Sequence, residues 1–153
     1  GKVKAIQLKA VCEIAKRISR PIENTKVQIK CPQDVANLLN DELKYEKREL
    51  VKVIILNTKN IVMKVTDICL GTENSAILKP RDALIDAVKM GAPKIILVHN
   101  HPSGDPMPSR EDILVTQRIR EGGSLLGIEL LDHIIIGDNC YVSLAEQKLL
   151  KEK

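Results

Sequence analysis

Phenylalanine and tryptophan are absent from the 153 residues, and there are only two tyrosines. A core built on large aromatic rings is excluded. With apolar residues at 44%, the interior has to be aliphatic, made from Ile, Leu and Val. No run of about 18 apolar residues occurs, so no membrane-spanning helix is expected. The N-terminus lacks the apolar segment of a secretory signal. It starts with Gly rather than Met, which fits a piece of a longer chain. The four cysteines, Cys12, Cys31, Cys69 and Cys140, form no CxxC pair. That argues against a disulfide framework and against a cysteine zinc knuckle. Free thiols in a reducing cytoplasm are the expectation. The length allows one full-sized domain with a real core and a short appendage.

What charge there is lies unevenly. Residues 1–20 hold Lys2, Lys4, Lys9, Lys16, Arg17 and Arg20 against Glu13 alone, and the remainder is close to neutral. Any attraction to nucleic acid belongs to that arm first. Charge alone favours the plainer reading, a solvated helix face.

Val3, Ile6, Ala10, Ile14 and Ile18 fall at helical spacing, and Arg20-Pro21 ends the segment. Residues 21–30 read as an extended linker. Cys31-Pro32-Gln33-Asp34 opens a second helix bearing Val35, Leu38 and Leu39. Leu50 to Leu56 is a Val/Ile-rich strand, Asn57 to Asn60 a turn, and Ile61 to Leu70 its hairpin partner. Pro80 starts a helix whose buried face is Ala83, Leu84, Ala87 and Val88, and Gly91 caps it. Lys94 to Val98 is a continuous apolar run, as expected of a central strand covered on both faces. A helix over 109–121 closes at Gly122-Gly123. A strand over 127–136, a turn, a short strand over 140–143 and a final helix over 144–151 complete an α/β pattern.

The stretch VHNHPSGDPMPSRED, residues 98–112, carries the chemistry. If the strand runs on through it, His99 and His101 point to one side. They then sit at the carboxyl end of a central strand, where open α/β sheets place ligands. Three prolines restrict the path of the return loop. Ser109 is a natural N-cap with Asp112 at N3, a weak capping box. S-x-x-D alone is a cap, and two histidines at i and i+2 alone are common by chance. Together they bring two imidazoles, a carboxylate and a hydroxyl into one small volume, and three N/O ligands with a fourth position left for water is the catalytic zinc pattern. A metal-activated water also needs a general base. Glu49, just before the Leu50–Leu56 strand, is the best-placed acid, ahead of Glu46 and Glu42. Spacing alone still favours reading Glu49 as a surface acid in the charged run 46–49.

His99-x-His101, seven residues, then Ser109-x-x-Asp112 matches the H-x-H-x7-S-x2-D signature of JAMM metallopeptidases, or MPN+ domains. HNHPSGDPMPSRED, with GTENSAILKPRDALIDAV before it and LLGIELLDHIIIG after it, closely resembles the bacterial RadC family. The resemblance covers most of residues 31–153, which it marks as a JAMM/MPN domain. It implies a cytidine-deaminase-like α/β fold, a mixed central sheet flanked by helices, with one zinc ion per chain. His99, His101 and Asp112 would bind the zinc. Glu49 would hold the attacking water and act as general acid/base, and Ser109 would help stabilise the oxyanion. The chain departs from the family at Leu50 and Val51, where an aromatic residue is frequent, and at Asp82, where Glu is usual. Neither departure touches the ligand set. Residues 1–20 resemble the closing part of a helix-hairpin-helix module. With its first helix and most of its hairpin missing, DNA binding by this chain should be weak, and steep salt-dependent affinity should need a longer chain.

Two functions are therefore expected to compete. One is a zinc hydrolase cleaving a peptide, protein or other amide. The other is a DNA-associated module, in keeping with the family's traditional DNA repair label, whose metal site is structural or unused. Two further ideas fail. The H-N-H at 99–101 does not have the spread of an HNH nuclease, and a deaminase needs H-x-E and P-C-x-x-C, both missing. His133 reads as a buried, hydrogen-bonded group that Asp132 could orient. Oligomeric state and substrate are not legible.

Overall fold

A computed structural model of the chain describes residues 1–18, 27–68 and 78–150. Its elements run α1 (Lys2–Ile18), α2 (Pro32–Leu43), β1 (Val51–Leu56), β2 (Val62–Ile68), α3 (Pro80–Met90), β3 (Lys94–Asn100), α4 (Arg110–Leu125), β4 (Glu129–Ile136) and β5 (Tyr141–Ser143). The strands form one mixed sheet in the order β2-β1-β3-β4-β5. β1 pairs antiparallel with both β2 and β3, β3 pairs parallel with β4, and β4 antiparallel with β5. The expected mixed α/β sheet with flanking helices is what the chain forms.

Side-chain alternation along β3 sets up three layers. Ile95 and Leu97 join Val53, Ile55, Leu84, Ala87 and Ile119 in an aliphatic core under α3 and α4. Ile96 and Val98 join Val35, Leu39, Leu43, Ile54 and Ile134 under α2. Covered on both faces, β3 is apolar from Ile95 to Val98, and at its end His99 falls on the α4 side and Asn100 on the α2 side. β1 supplies a buried cation, Lys52, paired with Glu42 of α2 and Asp67 of β2.

One irregularity matters for the site. Ile95 pairs with Leu130 but Ile96 with Asp132, so Leu131 is an extra residue in β4. This bulge reverses the side-chain parity of everything after it. His133 therefore shares the α4 face with Leu130, three positions earlier, while Asp132 turns the other way.

Several sequence-based expectations are corrected. The helix expected over 109–121 does not stop at Gly122-Gly123 but continues to Leu125. Those glycines are needed for close approach. A Cβ at Gly123 would lie 2.5 Å from Ile128 O, and one at Gly122 would lie 3.3 Å from Pro80 Cβ. The final helix expected over 144–151 is a turn over residues 144–148. Lys148 takes a left-handed φ of 56°, and Leu149 N donates back to Leu144 O, which ends the helix as it starts. Val88 is exposed, while Ala83, Leu84 and Ala87 are buried as expected. At the end of the expected linker, Gln28 bridges to Ile61 and Ile29 enters the core. Residues 21–26 of that linker and the stop at Arg20-Pro21 lie outside the described residues. In α1 every described side chain, residues 1–14, is exposed, including Val3, Ile6, Leu8, Val11 and Ile14.

Candidate metal centre

The centre is built where β3 ends, β1 begins and α4 starts. Antiparallel pairing sets Val51 opposite His99, so the residues just before β1 lie beside the histidines. The loop 102–108 then returns the chain so that the N-terminus of α4 faces the same point.

His99 Nε2 and His101 Nε2 are 3.0 Å apart. Asp112 Oδ1 lies 3.3 Å from His99 Nε2, and Oδ2 lies 3.4 Å from His101 Nε2. One ligand atom from each residue falls within 4.8 Å of the others, a grouping able to hold a metal ion. His101 Nδ1 sits 2.8 Å from the carbonyl oxygen of Asp105. A carbonyl only accepts, so Nδ1 carries the hydrogen and Nε2 presents its lone pair to the centre. Two imidazoles and a carboxylate suit zinc or a similar divalent ion, with room for a fourth, non-protein ligand.

The capping box is complete rather than weak. Asp112 N donates to Ser109 Oγ, Ser109 N donates to Asp112 Oδ2 at 2.8 Å, and Ser109 Oγ donates to the same oxygen at 2.7 Å. Burial alone would raise the Asp112 carboxyl, but the His99 ring beside it and the hydrogen bonds from Ser109 outweigh burial and hold it well below the usual carboxylate range. The cap therefore also orients a permanently ionised ligand. The Ser109 hydroxyl is at the rim, exposed, with its hydrogen directed at the ligand carboxylate.

Glu49 reaches the same place. Its Oε1 is 3.8 Å from His99 Nε2, and about half of its side chain is exposed. Its backbone is pinned by Asn100, the residue between the two histidines. Asn100 Oδ1 accepts from Leu50 N at 2.8 Å, and its amide donates to Arg48 O and Glu46 O. Glu42, one of the less convenient alternatives, is occupied with Lys52 instead.

His133 lies behind the centre. It is buried, its Nε2 is 2.7 Å from His99 Nδ1, and its Nδ1 is 2.5 Å from Thr116 Oγ1. Desolvation drives its pKa well below the ordinary value. The expectation that Asp132 orients this ring is corrected. The bulge turns Asp132 to the opposite face, where it accepts from Ser143 Oγ, from Ala145 N and from the His133 backbone. Thr116 was missed. Its signal was present: Asp112, Thr116, Ile119 and Gly123 form the inward stripe of α4, and a threonine there needs a polar partner.

Comparison with known proteins adds the lineage. A family model described as RadC-like JAB domain matches residues 29–149. A UPF0758 protein of Clostridium botulinum is 49% identical over 147 residues, 96% of this chain and 64% of that protein. A UPF0758 protein of Alkaliphilus metalliredigens is 49% identical over 150 residues, 98% of this chain and 65% of that protein. The chain thus spans just under two thirds of the length of these relatives.

Proposed function

The chain belongs to the RadC-like JAB domain family, and on that premise we propose that it is a zinc-dependent hydrolase of amide bonds. The observation that carries this is the meeting of His99 Nε2, His101 Nε2 and the Asp112 carboxylate at one point, with the Glu49 carboxylate alongside. His99, His101 and Asp112 would hold the ion. Bound there, zinc supplies a Lewis acid that polarises a carbonyl and acidifies water. Glu49 Oε1 takes the proton of the attacking water and returns it to the leaving nitrogen, so charge and protons balance over the cycle. Its half-exposed position lets water and substrate reach it. Ser109 keeps Asp112 in place through its hydroxyl. Turned from Oδ2, that O–H donates to the developing oxyanion. A peptide, a protein or another amide fits this chemistry.

Zinc analysis of wild type and His101→Ala, with an amide hydrolysis assay of wild type and Glu49→Gln, tests the reading. One zinc per chain is expected in wild type and none in His101→Ala. Glu49→Gln should keep its zinc and lose about 100-fold or more in rate. Wild type without zinc would end the hydrolase reading, and an active, zinc-loaded Glu49→Gln would end the role given to Glu49.

The exposed, basic α1, with Lys2, Lys4 and Lys9 in solvent, favours a second reading in which the whole protein also contacts DNA phosphate. Salt titration of DNA binding tests it. Steep dependence is expected only in a longer chain, and tight binding by residues 1–153 would contradict that.

A further inference from the structure

We infer that Thr116 and His133 form a buried relay that fixes the tautomer of His99, so that its Nε2 lone pair faces the metal position. Both are positioning residues and touch neither ion nor substrate.

The direction of each hydrogen bond follows from the one end that has no choice. Thr116 Oγ1 lies 2.5 Å from the carbonyl oxygen of Asp112. A carbonyl has no hydrogen to give, so the threonine hydroxyl donates to it. That hydroxyl has one hydrogen, so towards His133 Nδ1 its oxygen accepts. His133 Nδ1 therefore carries a hydrogen. A hydrogen on His133 Nε2 as well would place an imidazolium in the core with no carboxylate hydrogen-bonded to its ring, which burial opposes. Nε2 is then bare and accepts from His99 Nδ1, 2.7 Å away. His99 Nδ1 carries the hydrogen, and Nε2 is left as the ligand atom.

Three features make the relay a device of this fold. Thr116, His133 and His99 are 1%, 1% and 2% exposed, so water cannot replace a partner. The bulge at Leu131 brings His133 to this face at all. The relay also closes on itself, because Asp112 ends it with its backbone carbonyl and meets His99 again with its carboxylate. One ligand thereby sets the orientation of another. His101 obtains the same tautomer from the Asp105 carbonyl alone.

The consequence for metal affinity rests on the proposed zinc site, while the tautomer does not. Nitrogen NMR of histidine-labelled, metal-free protein reads the tautomer directly. Wild type should show His99 with hydrogen on Nδ1 and a bare Nε2. Thr116→Val keeps the shape and removes the hydroxyl. It should move the His133 hydrogen to Nε2, drive the His99 hydrogen onto its own Nε2, and weaken zinc binding by about 10–100-fold. Thr116→Ser should restore both. Hydrogen on His99 Nε2 in wild type would overturn the relay without any variant, and so would wild-type zinc affinity in a folded Thr116→Val. Wild type that binds no zinc but shows the expected spectrum would retire the metal centre and leave the tautomer standing.

Discussion

The two histidines of the centre are two residues apart and held in different ways. His99 belongs to a sheet wall. It is buried, and the group behind it, His133, is 34 residues away in the chain and backed in turn by α4. His101 belongs to a loop wall. It is part-exposed, and the group behind it is a backbone carbonyl four residues on. The same ligand chemistry thus rests on the core in one case and on a proline-stiffened turn in the other. The sheet wall ties metal binding to folding, and the loop wall leaves it adjustable at little cost to the core.

The largest effects should separate the walls. His99→Ala and His101→Ala should both abolish zinc binding. Only His99→Ala should also destabilise the metal-free fold, by about 2–4 kcal/mol, because it leaves a cavity and strips His133 Nε2 of its partner. His101→Ala should stay within about 0.5 kcal/mol of wild type. Urea denaturation of metal-free protein measures both, and equal losses would erase the distinction. Next comes Asn100→Ala, behind the sheet wall, which removes the clamp on residues 46–50. A loss of about 2 kcal/mol is expected, with zinc retained and hydrolysis reduced because Glu49 is no longer fixed. Loss of zinc with it would put Asn100 in the ligand support instead. On the loop wall, Gly104 has φ 85°, and a Cβ there would lie 3.2 Å from Asp138 Cβ. Gly104→Ala should cost about 1–2 kcal/mol and weaken zinc by displacing the Asp105 carbonyl. Unchanged affinity would show that the loop does not set His101.

The smallest effect concerns Asp132. Burial raises its carboxyl pKa and outweighs the hydrogen bonds from Ser143, Ala145 N and His133 N. The native state therefore holds this proton more tightly than the unfolded chain. Between the unfolded value, about 3.9, and the folded one, this group makes stability fall as pH rises. Asp132→Asn keeps an oxygen for the two backbone N–H groups and removes the titration. Relative to it, wild type should lose stability between pH 4 and pH 7, by less than about 1 kcal/mol. A gain over that range would reverse the sign assigned here.

What could be read from the sequence follows the same division. The loop wall is local: His101, the prolines, Ser109 and Asp112 lie within twelve residues, and spacing together with the helix cap brings them together. The covered strand at 94–98 was legible because a long aliphatic run admits few other readings. Glu49 was harder, since its place depends on β1 running antiparallel to β3, which no local pattern states. The sheet wall was largely hidden. Nothing in LLDHIII marks the extra residue at Leu131, and without the bulge Asp132 is the natural neighbour to assign to His133. Gly122-Gly123 signals a helix end by propensity, yet tertiary packing uses the two missing side chains to let α4 approach α3 and the backbone of Ile128, just before β4. The turn after Ser143 begins as a helix does, with Ser143 Oγ accepting from Glu146 N, and goes no further because Lys148 takes a left-handed φ of 56° and Leu149 N donates back to Leu144 O.

The centre itself is tested most directly by cobalt(II) titration of metal-free protein, read by visible absorption, which reports both stoichiometry and coordination geometry. One equivalent per chain is expected, with the intense band of a four-coordinate N/O site, displaced by zinc and absent in His101→Ala. A titration that never saturates, or a band that survives in His101→Ala, would contradict a centre made by His99, His101 and Asp112.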